Sequence, residues 1–276
     1  MTTRSAGVIG HPITHSLSPV IHGAWIERLG LDAAYFRVDP GADGLAAYIR
    51  GEHPGGFRGL NVTIPFKEEA LTLADEAGER ARLAGAANLL MLRKDGTIFA
   101  DNTDGIGLLG ALAAQAPGFD PKAGPALILG AGGAARGAAA ALKLAGAPVV
   151  RILNRTRERA QAIADDIGAP VVAVDDPGIA DVNVIINATS LGLGGGAGPD
   201  IDLAEAPKTA VVMDMVYKPL RTEFLERAAA LGLRTVDGLE MLIRQAIPSF
   251  EAFFGQAPPT DVDVRALVLA QLGETA

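Results

Sequence analysis

The sequence predicts an α/β protein of two domains, one of them assembled from both ends of the chain. Three observations predict it. Ala126–Leu129 is a wholly apolar run, followed by Gly130-Ala131-Gly132-Gly133-Ala134-Ala135 and an alanine-rich stretch to about Gly146, which reads as buried strand, tight turn and helix. Apolar runs at Ala126, Val149, Val171, Val184 and Val211 alternate with helical stretches, the pattern of a parallel sheet covered by helices on both faces. From Gly238 the pattern becomes helical throughout. Leu239, Leu242, Ile243, Ala246, Phe250 and Phe253 form one stripe with Pro248 as an expected kink, and Val264, Leu267, Val268 and Leu272 suggest a last helix. These helices are expected to pack back on the N-terminal part. The expected division is therefore 1–102 plus 238–276 as one discontinuous α/β domain and 103–237 as the parallel-sheet domain.

The 276 residues, 49% hydrophobic and 20% charged, suit one large or two modest domains. A net charge of −8 argues against a nucleic-acid or anionic-membrane partner. The absence of cysteine excludes disulfides, a thiol nucleophile and thiolate metal sites. His11, His15 and His22 lie near the start, but a Gly/Pro loop separates the first two and carboxylates are absent nearby, so no metal is expected. Gly10, Pro12 and polar residues break the uncharged stretch after Arg4, leaving no signal-peptide core or membrane span. The expectation is a cytoplasmic protein, monomeric or homodimeric, that acts on a small molecule.

Taken in order, Ala6–Gly10 reads as a strand. In Gly10-His11-Pro12-Ile13-Thr14-His15-Ser16-Leu17-Ser18-Pro19, Ser18 and Pro19 read as N-cap and first residue of a helix to about Leu29. Ser18 has a capping and a binding reading. Ser16 is not needed for the cap, and two neighbouring hydroxyls after a strand suit a polyol or a carboxylate. Ala34–Val38 is a strand, Ala42–Arg50 a helix and Gly59–Thr63 a strand, leading into Asn61-Val62-Thr63-Ile64-Pro65-Phe66-Lys67. With Pro65 opening a helix, Lys67 falls in its first turn beside Glu68 and Glu69. A cation there stands against the helix macrodipole, which should lower its pKa and suit it to proton transfer; an exposed lysine without a role is the other reading. Glu79–Ala84 is a short helix, and Asn88–Leu92 with Thr97–Ala100 a hairpin about Lys94-Asp95-Gly96. Asp101 and Thr103 have cap readings, and Asp104 falls at the domain border, where clefts form. A helix follows over Ile106–Ala116.

In the second domain Gly130 permits a tight turn, Gly132 lets backbone approach a pyrophosphate, and Ala135 lets helix pack on strand. Unpaired N–H groups at the helix start suit the anion. The next strand, Val149–Leu153, ends at Asn154-Arg155-Thr156-Arg157-Glu158-Arg159, where an NAD site would carry a carboxylate for the ribose 2′-hydroxyl. Arg155 can instead pair with a 2′-phosphate, and Arg159 is expected on the same helical face. NADP is the expected cofactor, on a Rossmann-like domain. Loops at strand ends bind ligands in such sheets, which adds Thr189 in Asn187-Ala188-Thr189-Ser190, after a strand over Val182–Ile186, and the run Met213–Tyr217. Gly194–Pro199 reads as a flexible loop.

Several stretches together resemble the shikimate dehydrogenase family. They are His15-Ser16-Leu17-Ser18-Pro19, Asn61 to Lys67, Ala86-Ala87-Asn88, Asp101 to Gly105, Gly130 to Ala134, Asn154-Arg155-Thr156, Asn187 to Ser190 and Asp237-Gly238-Leu239, spread over almost the whole chain. The resemblance implies NADP-linked interconversion of 3-dehydroshikimate and shikimate, a step towards aromatic amino acids. It implies that Lys67 and Asp104 form the catalytic pair and hold substrate hydroxyls, and that Ser16, Ser18, Thr63, Asn88, Tyr217 and Gln245 bind substrate with Asn61 nearby. It implies that Gly130, Ala131, Gly132, Gly133, Ala134, Asn154, Arg155, Thr156, Arg159, Met215 and Gly238 hold NADP. Ala87 departs from the valine common there, which should only loosen local packing. Two other readings compete. A quinate/shikimate dehydrogenase using NAD would want an acid at the end of the second strand, and none is present. An NADP-binding regulatory protein would lack Lys67 or Asp104, and both are present.

Overall fold

Two six-stranded sheets organise the chain in the computed structural model, which describes residues 4–51 and 57–274. The chain divides into two units, residues 1–103 with 245–276 and residues 104–244. The first holds β1 (Arg4–Ile9), α1 (Ser18–Arg28), β2 (Ala33–Val38), α2 (Leu45–Arg50), β3 (Phe57–Val62), α3 (Lys67–Leu73), β4 (Glu76–Ala77), α4 (Glu79–Ala84), β5 (Leu89–Leu92) and β6 (Ile98–Asp101). Its strand order is β2-β1-β3-β5-β6-β4. β1 runs parallel to β2 and β3, while β3–β5 and β5–β6 are antiparallel. The expected hairpin closes through Arg93 N–H to Thr97 C=O at 2.9 Å, with the Asp95 carboxylate accepting from the Thr97 amide and hydroxyl. Ile9, Leu60, Leu90 and Phe66 lie in its core.

The second unit runs through α5 (Asp104–Gln115), β7 (Ala126–Leu129), α6 (Gly133–Leu144), β8 (Val150–Leu153), α7 (Arg157–Ile167), β9 (Val171–Val174), β10 (Val184–Asn187), β11 (Val211–Asp214), α8 (Glu223–Ala230) and β12 (Arg234–Val236). The sheet is parallel throughout, in the order β12-β11-β10-β7-β8-β9. Counted within the unit this is the doubly wound order of dinucleotide-binding sheets, whose switch point lies between β7 and β10. β12 was not anticipated. Arg234-Thr235-Val236 contains one fully buried residue and no apolar run, so its strand character comes from the ladder with Val211–Met213. Close approach sets the α5–α6 packing: a Cβ on Gly105 would sit 2.7 Å from that of Ala141.

The chain ends in α9 (Gly238–Phe254) and α10 (Val264–Leu272). α9 runs through Pro248 as one helix of 17 residues. Phe250 and Phe253 from α9 join His22 and Trp25 from α1 and Tyr35 from β2 in an aromatic cluster. No helix among the described residues is long and apolar enough to cross a membrane.

Several helix starts differ from expectation. Ser18 is the first residue of α1 and caps nothing. Leu17 holds the N-cap position without a side-chain bond, and Ser16 Oγ accepts the Ser18 N–H at 3.4 Å. Pro65 does not open α3, because a turn closed by Phe66 N–H to Thr63 C=O intervenes; Lys67 itself is the first helical residue. Arg155 precedes α7, which starts at Arg157, so Arg155 and Arg159 do not share a helical face. The Asn154 amide donates to Thr156 C=O at 2.8 Å and holds that segment out of the helix. α5 begins at Asp104, earlier than expected, which makes Asp104 a first-turn acid favoured by the macrodipole.

His22 is fully buried, and neither ring nitrogen has a hydrogen-bond partner. Burial lowers its pKa from 6.5 to about 3. The unfolded chain takes up this proton below pH 6.5 while the folded one refuses it until near pH 3, so stability falls as pH drops through that window. The slope is about 1.4 kcal/mol per pH unit for one proton. Urea unfolding at stepped pH is expected to show this slope in the native chain and its loss in His22→Phe. Equal slopes in the two proteins would contradict a neutral buried imidazole.

Candidate active site

In the first unit, polar residues collect where β1 and β3 end side by side and where β5 begins beside β3. Gly10 permits the approach, since a Cβ there would lie 2.5 Å from Thr63 Cγ2 and 3.0 Å from Ile64 C=O. Ser16 is half-buried and Ser18 buried. Arg37 of β2 grips the Ser16 carbonyl with two donors at 3.1 and 2.7 Å. The Tyr35 hydroxyl donates to Asn61 Oδ1 at 2.7 Å. Asn61 gives its amide hydrogens to Asn88 C=O at 3.1 Å and Ser249 Oγ at 2.8 Å, so it acts as a strut between β3, β5 and α9.

Asn88 is itself oriented. Its Oδ1 accepts the Thr103 N–H at 2.7 Å, and its Nδ2 donates to Thr103 Oγ1 at 3.0 Å and Gln245 Oε1 at 3.4 Å. Thr103 and Asp101 therefore have partners beyond the helix start. Thr103 is buried against Asn88, and Asp101 is buried in an ion pair with Arg80 while accepting the Asn102 N–H at 2.8 Å. Together they fix the segment that enters Asp104. Thr63 and Lys67 are half-buried, and the Lys67 carbonyl accepts the Ala87 N–H at 2.8 Å, next to Asn88. Tyr35, Arg37, Arg80 and Ser249 were missed in the sequence. For Tyr35 and Arg37 a signal existed: strand alternation puts both on one face, opposite the exposed Phe36.

In the second unit the loops after β7, β8, β10 and β11 lie at the carboxyl end of the sheet. Gly130 has φ 111°, and a Cβ would lie 2.8 Å from Thr189 Cγ2. Its turn thus demands glycine on two counts. Gly132 and Gly133 differ: a Cβ on either would meet nothing within 4 Å. Packing does not require their smallness, which leaves open room over the start of α6, where Gly132 offers no side-chain cap. Half-buried Ala131 and exposed Ala134 border this cradle, and Ala135 is buried as its slot demands. The Asn187 amide joins β10 to Asp214 Oδ1 at 2.9 Å and accepts the Thr189 hydroxyl at 2.7 Å. Burial raises the Asp214 carboxyl pKa, opposed by hydrogen bonds from Thr222, Val216 N–H and Asn187. Burial likewise raises the Tyr217 hydroxyl. At Gly238 a Cβ would lie 2.4 Å from Met215 C=O, so the start of α9 lies hard against the loop after β11.

The arginines beyond β8 divide by partner. Arg151 is bidentate to Asp181 at 2.6 and 2.8 Å, and Arg157 pairs with Asp175. Arg155 and Arg159 are exposed and, among the described residues, have no acidic partner. Two uncompensated guanidinium groups and an open glycine cradle fit a dinucleotide that carries an extra phosphate.

Strand order, cradle and arginines define a nicotinamide-dependent oxidoreductase with a doubly wound cofactor sheet. Comparison with known proteins narrows the class. Residues 8–90 match the shikimate dehydrogenase substrate binding domain, 112–192 shikimate / quinate 5-dehydrogenase, and 238–268 the shikimate 5′-dehydrogenase C-terminal domain. The chain belongs to the shikimate dehydrogenase family. A shikimate dehydrogenase (NADP(+)) of Caulobacter vibrioides is 63% identical over 272 residues, 97% of this chain and 95% of that relative. The solved shikimate 5-dehydrogenase of Thermus thermophilus, in complex with NADP(H) and shikimate, is 37% identical with a TM-score of 0.86, covering 97% of this chain and 99% of its own. The ligand-free 5-ketofructose reductase of Gluconobacter sp. strain CHM43 is 34% identical with a TM-score of 0.89, covering 98% and 99%. The present chain is an oxidoreductase acting on a CH–OH group, with NADP as cofactor and NADPH-linked shikimate dehydrogenase activity in the shikimate pathway.

Proposed function

We propose that Lys67 and Asp104 carry proton transfer in the reversible reduction of 3-dehydroshikimate to shikimate. What supports the pairing is a short relay of bonds. The Lys67 carbonyl holds Ala87, and the adjacent Asn88 holds Thr103, the residue before Asp104. Negative charge develops on the ketone oxygen as it is reduced, and the Lys67 ammonium stabilises that charge and delivers the proton. Asp104 orients the ammonium and accepts a bond from a neighbouring substrate hydroxyl. Ser16, Ser18, Thr63, Asn88, Tyr217 and Gln245 hold the rest of the substrate, with the Ser16 and Ser18 hydroxyls at its carboxylate, and Asn61 lies beside it and holds Asn88. NADP(H), when bound, supplies the hydride chemistry. Gly130, Ala131, Gly132, Gly133 and Ala134 take its pyrophosphate. Asn154, Arg155, Thr156 and Arg159 take the 2′-phosphate, while Thr189, Met215 and Gly238 line the remainder.

In this reading residues 1–102 with 238–276 serve the substrate and 103–237 the cofactor. The protein works in the cytoplasm as a monomer or homodimer, and its net charge of −8 disfavours nucleic acid as a partner. The test supplies shikimate or quinate with NADP+ or NAD+ in all four pairings and follows nicotinamide absorbance. Shikimate with NADP+ is expected to give the highest kcat/KM. A preference for quinate with NAD+ would move the assignment to the quinate enzymes, and no turnover in any pairing would leave a binding protein. One further arm, 5-ketofructose with NADPH, is recommended by the structural likeness to the Gluconobacter enzyme, since a shared fold does not choose a substrate.

A further inference from the structure

Asp214 is a fully buried carboxylate that the chemistry above does not use. It ends β11, whose other residues, Val211, Val212 and Met213, are apolar and buried. An interior strand of a parallel sheet calls for an apolar side chain there, since a buried acid costs stability unless hydrogen bonds meet it. Here they do. The strand register sets Asn187, the last residue of β10, opposite Asp214. Asn187 Nδ2 donates to Asp214 Oδ1 at 2.9 Å, and the Val216 N–H donates to the same oxygen at 2.9 Å. Thr222, just before α8, donates its hydroxyl to Oδ2 at 2.6 Å. A carboxylate only accepts, so the Asn187 NH2 must face Asp214 and its oxygen must face the other way. That oxygen accepts the N–H and the hydroxyl of Thr189, at 3.0 and 2.7 Å. Thr189 in turn packs on the glycine turn, its Cγ2 only 2.8 Å from where a Cβ on Gly130 would stand. Asp214 thus sets two loops at once, the one that begins with Thr189 and the one in which Met215 and Tyr217 flank Val216. Both lie at the carboxyl end of the sheet, where such sheets bind their ligands.

We propose that Asp214 is a positioning residue for the cofactor, which through Asn187 and Val216 holds the loops after β10 and β11 in the arrangement the dinucleotide needs. This rests on the reading that Thr189 and Met215 line the cofactor, and the experiment separates the two. Dissociation constants for NADPH and NADH are measured by titration of nicotinamide fluorescence with the native protein, Asp214→Leu, Asp214→Asn and Met215→Ala, and each protein is unfolded in urea. Asp214→Leu keeps the branched shape and removes every acceptor. It is expected to weaken NADPH and NADH alike by about tenfold, the equivalent of one charge-assisted bond. The factors should be equal because these loops serve the part the two cofactors share, whereas Arg155 serves the 2′-phosphate. Asp214→Asn should stay within about twofold of native, since its oxygen can accept from Asn187 and Val216 while its NH2 donates to the Thr222 oxygen. Should Asp214→Leu not fold, Asn187→Leu/Asp214→Leu takes its place with the same expected loss, because replacing both partners of a buried bond costs less than orphaning one. A folded leucine variant with native affinities and only a lower unfolding midpoint would overturn the proposal and leave Asp214 a stabilising residue. So would a loss confined to NADPH, or an Asp214→Asn protein as weak as Asp214→Leu. Native affinities in Met215→Ala would instead remove the cofactor role of the loop after β11, and the proposal with it.

Discussion

Lys67→Ala is expected to lower kcat by about 10²- to 10⁴-fold while NADP binding stays near native, the range for a lost general acid–base. In the proposed mechanism the bond from Lys67 to the developing oxyanion is made mainly in the transition state, so kcat/KM should fall at least as far as kcat. The backbone role of Lys67, its carbonyl to Ala87, survives the substitution. The start of α3 should therefore hold, and circular dichroism should report a folded protein. Lys67→His is expected to recover part of the rate with a shifted pH profile, because imidazole can also exchange a proton. Asp104→Asn keeps shape and removes charge; it should lower kcat and raise the shikimate KM, since in the proposed mechanism the carboxylate also accepts a bond from a substrate hydroxyl. A folded Lys67→Ala protein that binds both ligands and keeps near-native kcat would move the proton donor elsewhere, with Tyr217 the next residue to test.

Arg155→Ala should cost NADP affinity about one to two decades and leave NAD nearly unaffected. The basis is the absence of a competing acid: Arg155 and Arg159 are unpaired among the described residues, whereas Arg151 and Arg157 are held by Asp181 and Asp175. A guanidinium with no partner to lose gives its full charge-assisted bond to a 2′-phosphate, roughly 1.5–3 kcal/mol. Fluorescence titration of both cofactors against native and variant protein measures the difference. Equal losses for NADP and NAD would show that Arg155 serves the fold or a contact common to both.

The sequence by itself determined the parallel sheet, the glycine turn after β7 and an arginine in place of a carboxylate at the end of β8. These are properties of short segments. An apolar run of four residues, a glycine-rich turn and a missing carboxylate are visible without knowing what lies elsewhere in the chain. The family resemblance also rested on short stretches in order. Helix starts were less legible, because Ser18-Pro19 and Ile64-Pro65 satisfy a local capping rule that the neighbouring turns override. Leu17 takes the N-cap position of α1, with Ser16 Oγ accepting the Ser18 N–H, and the turn at Thr63–Phe66 delays α3 to Lys67. The same holds for the supports of the site. Asn61 bonds to Tyr35 across 26 residues and to Ser249 across 188, and Asp101 reaches back 21 to Arg80. Only the tertiary structure decided these, since a hydrogen bond between residues so far apart leaves no periodicity or spacing in the chain and exists only once the strands and helices that carry its ends have packed.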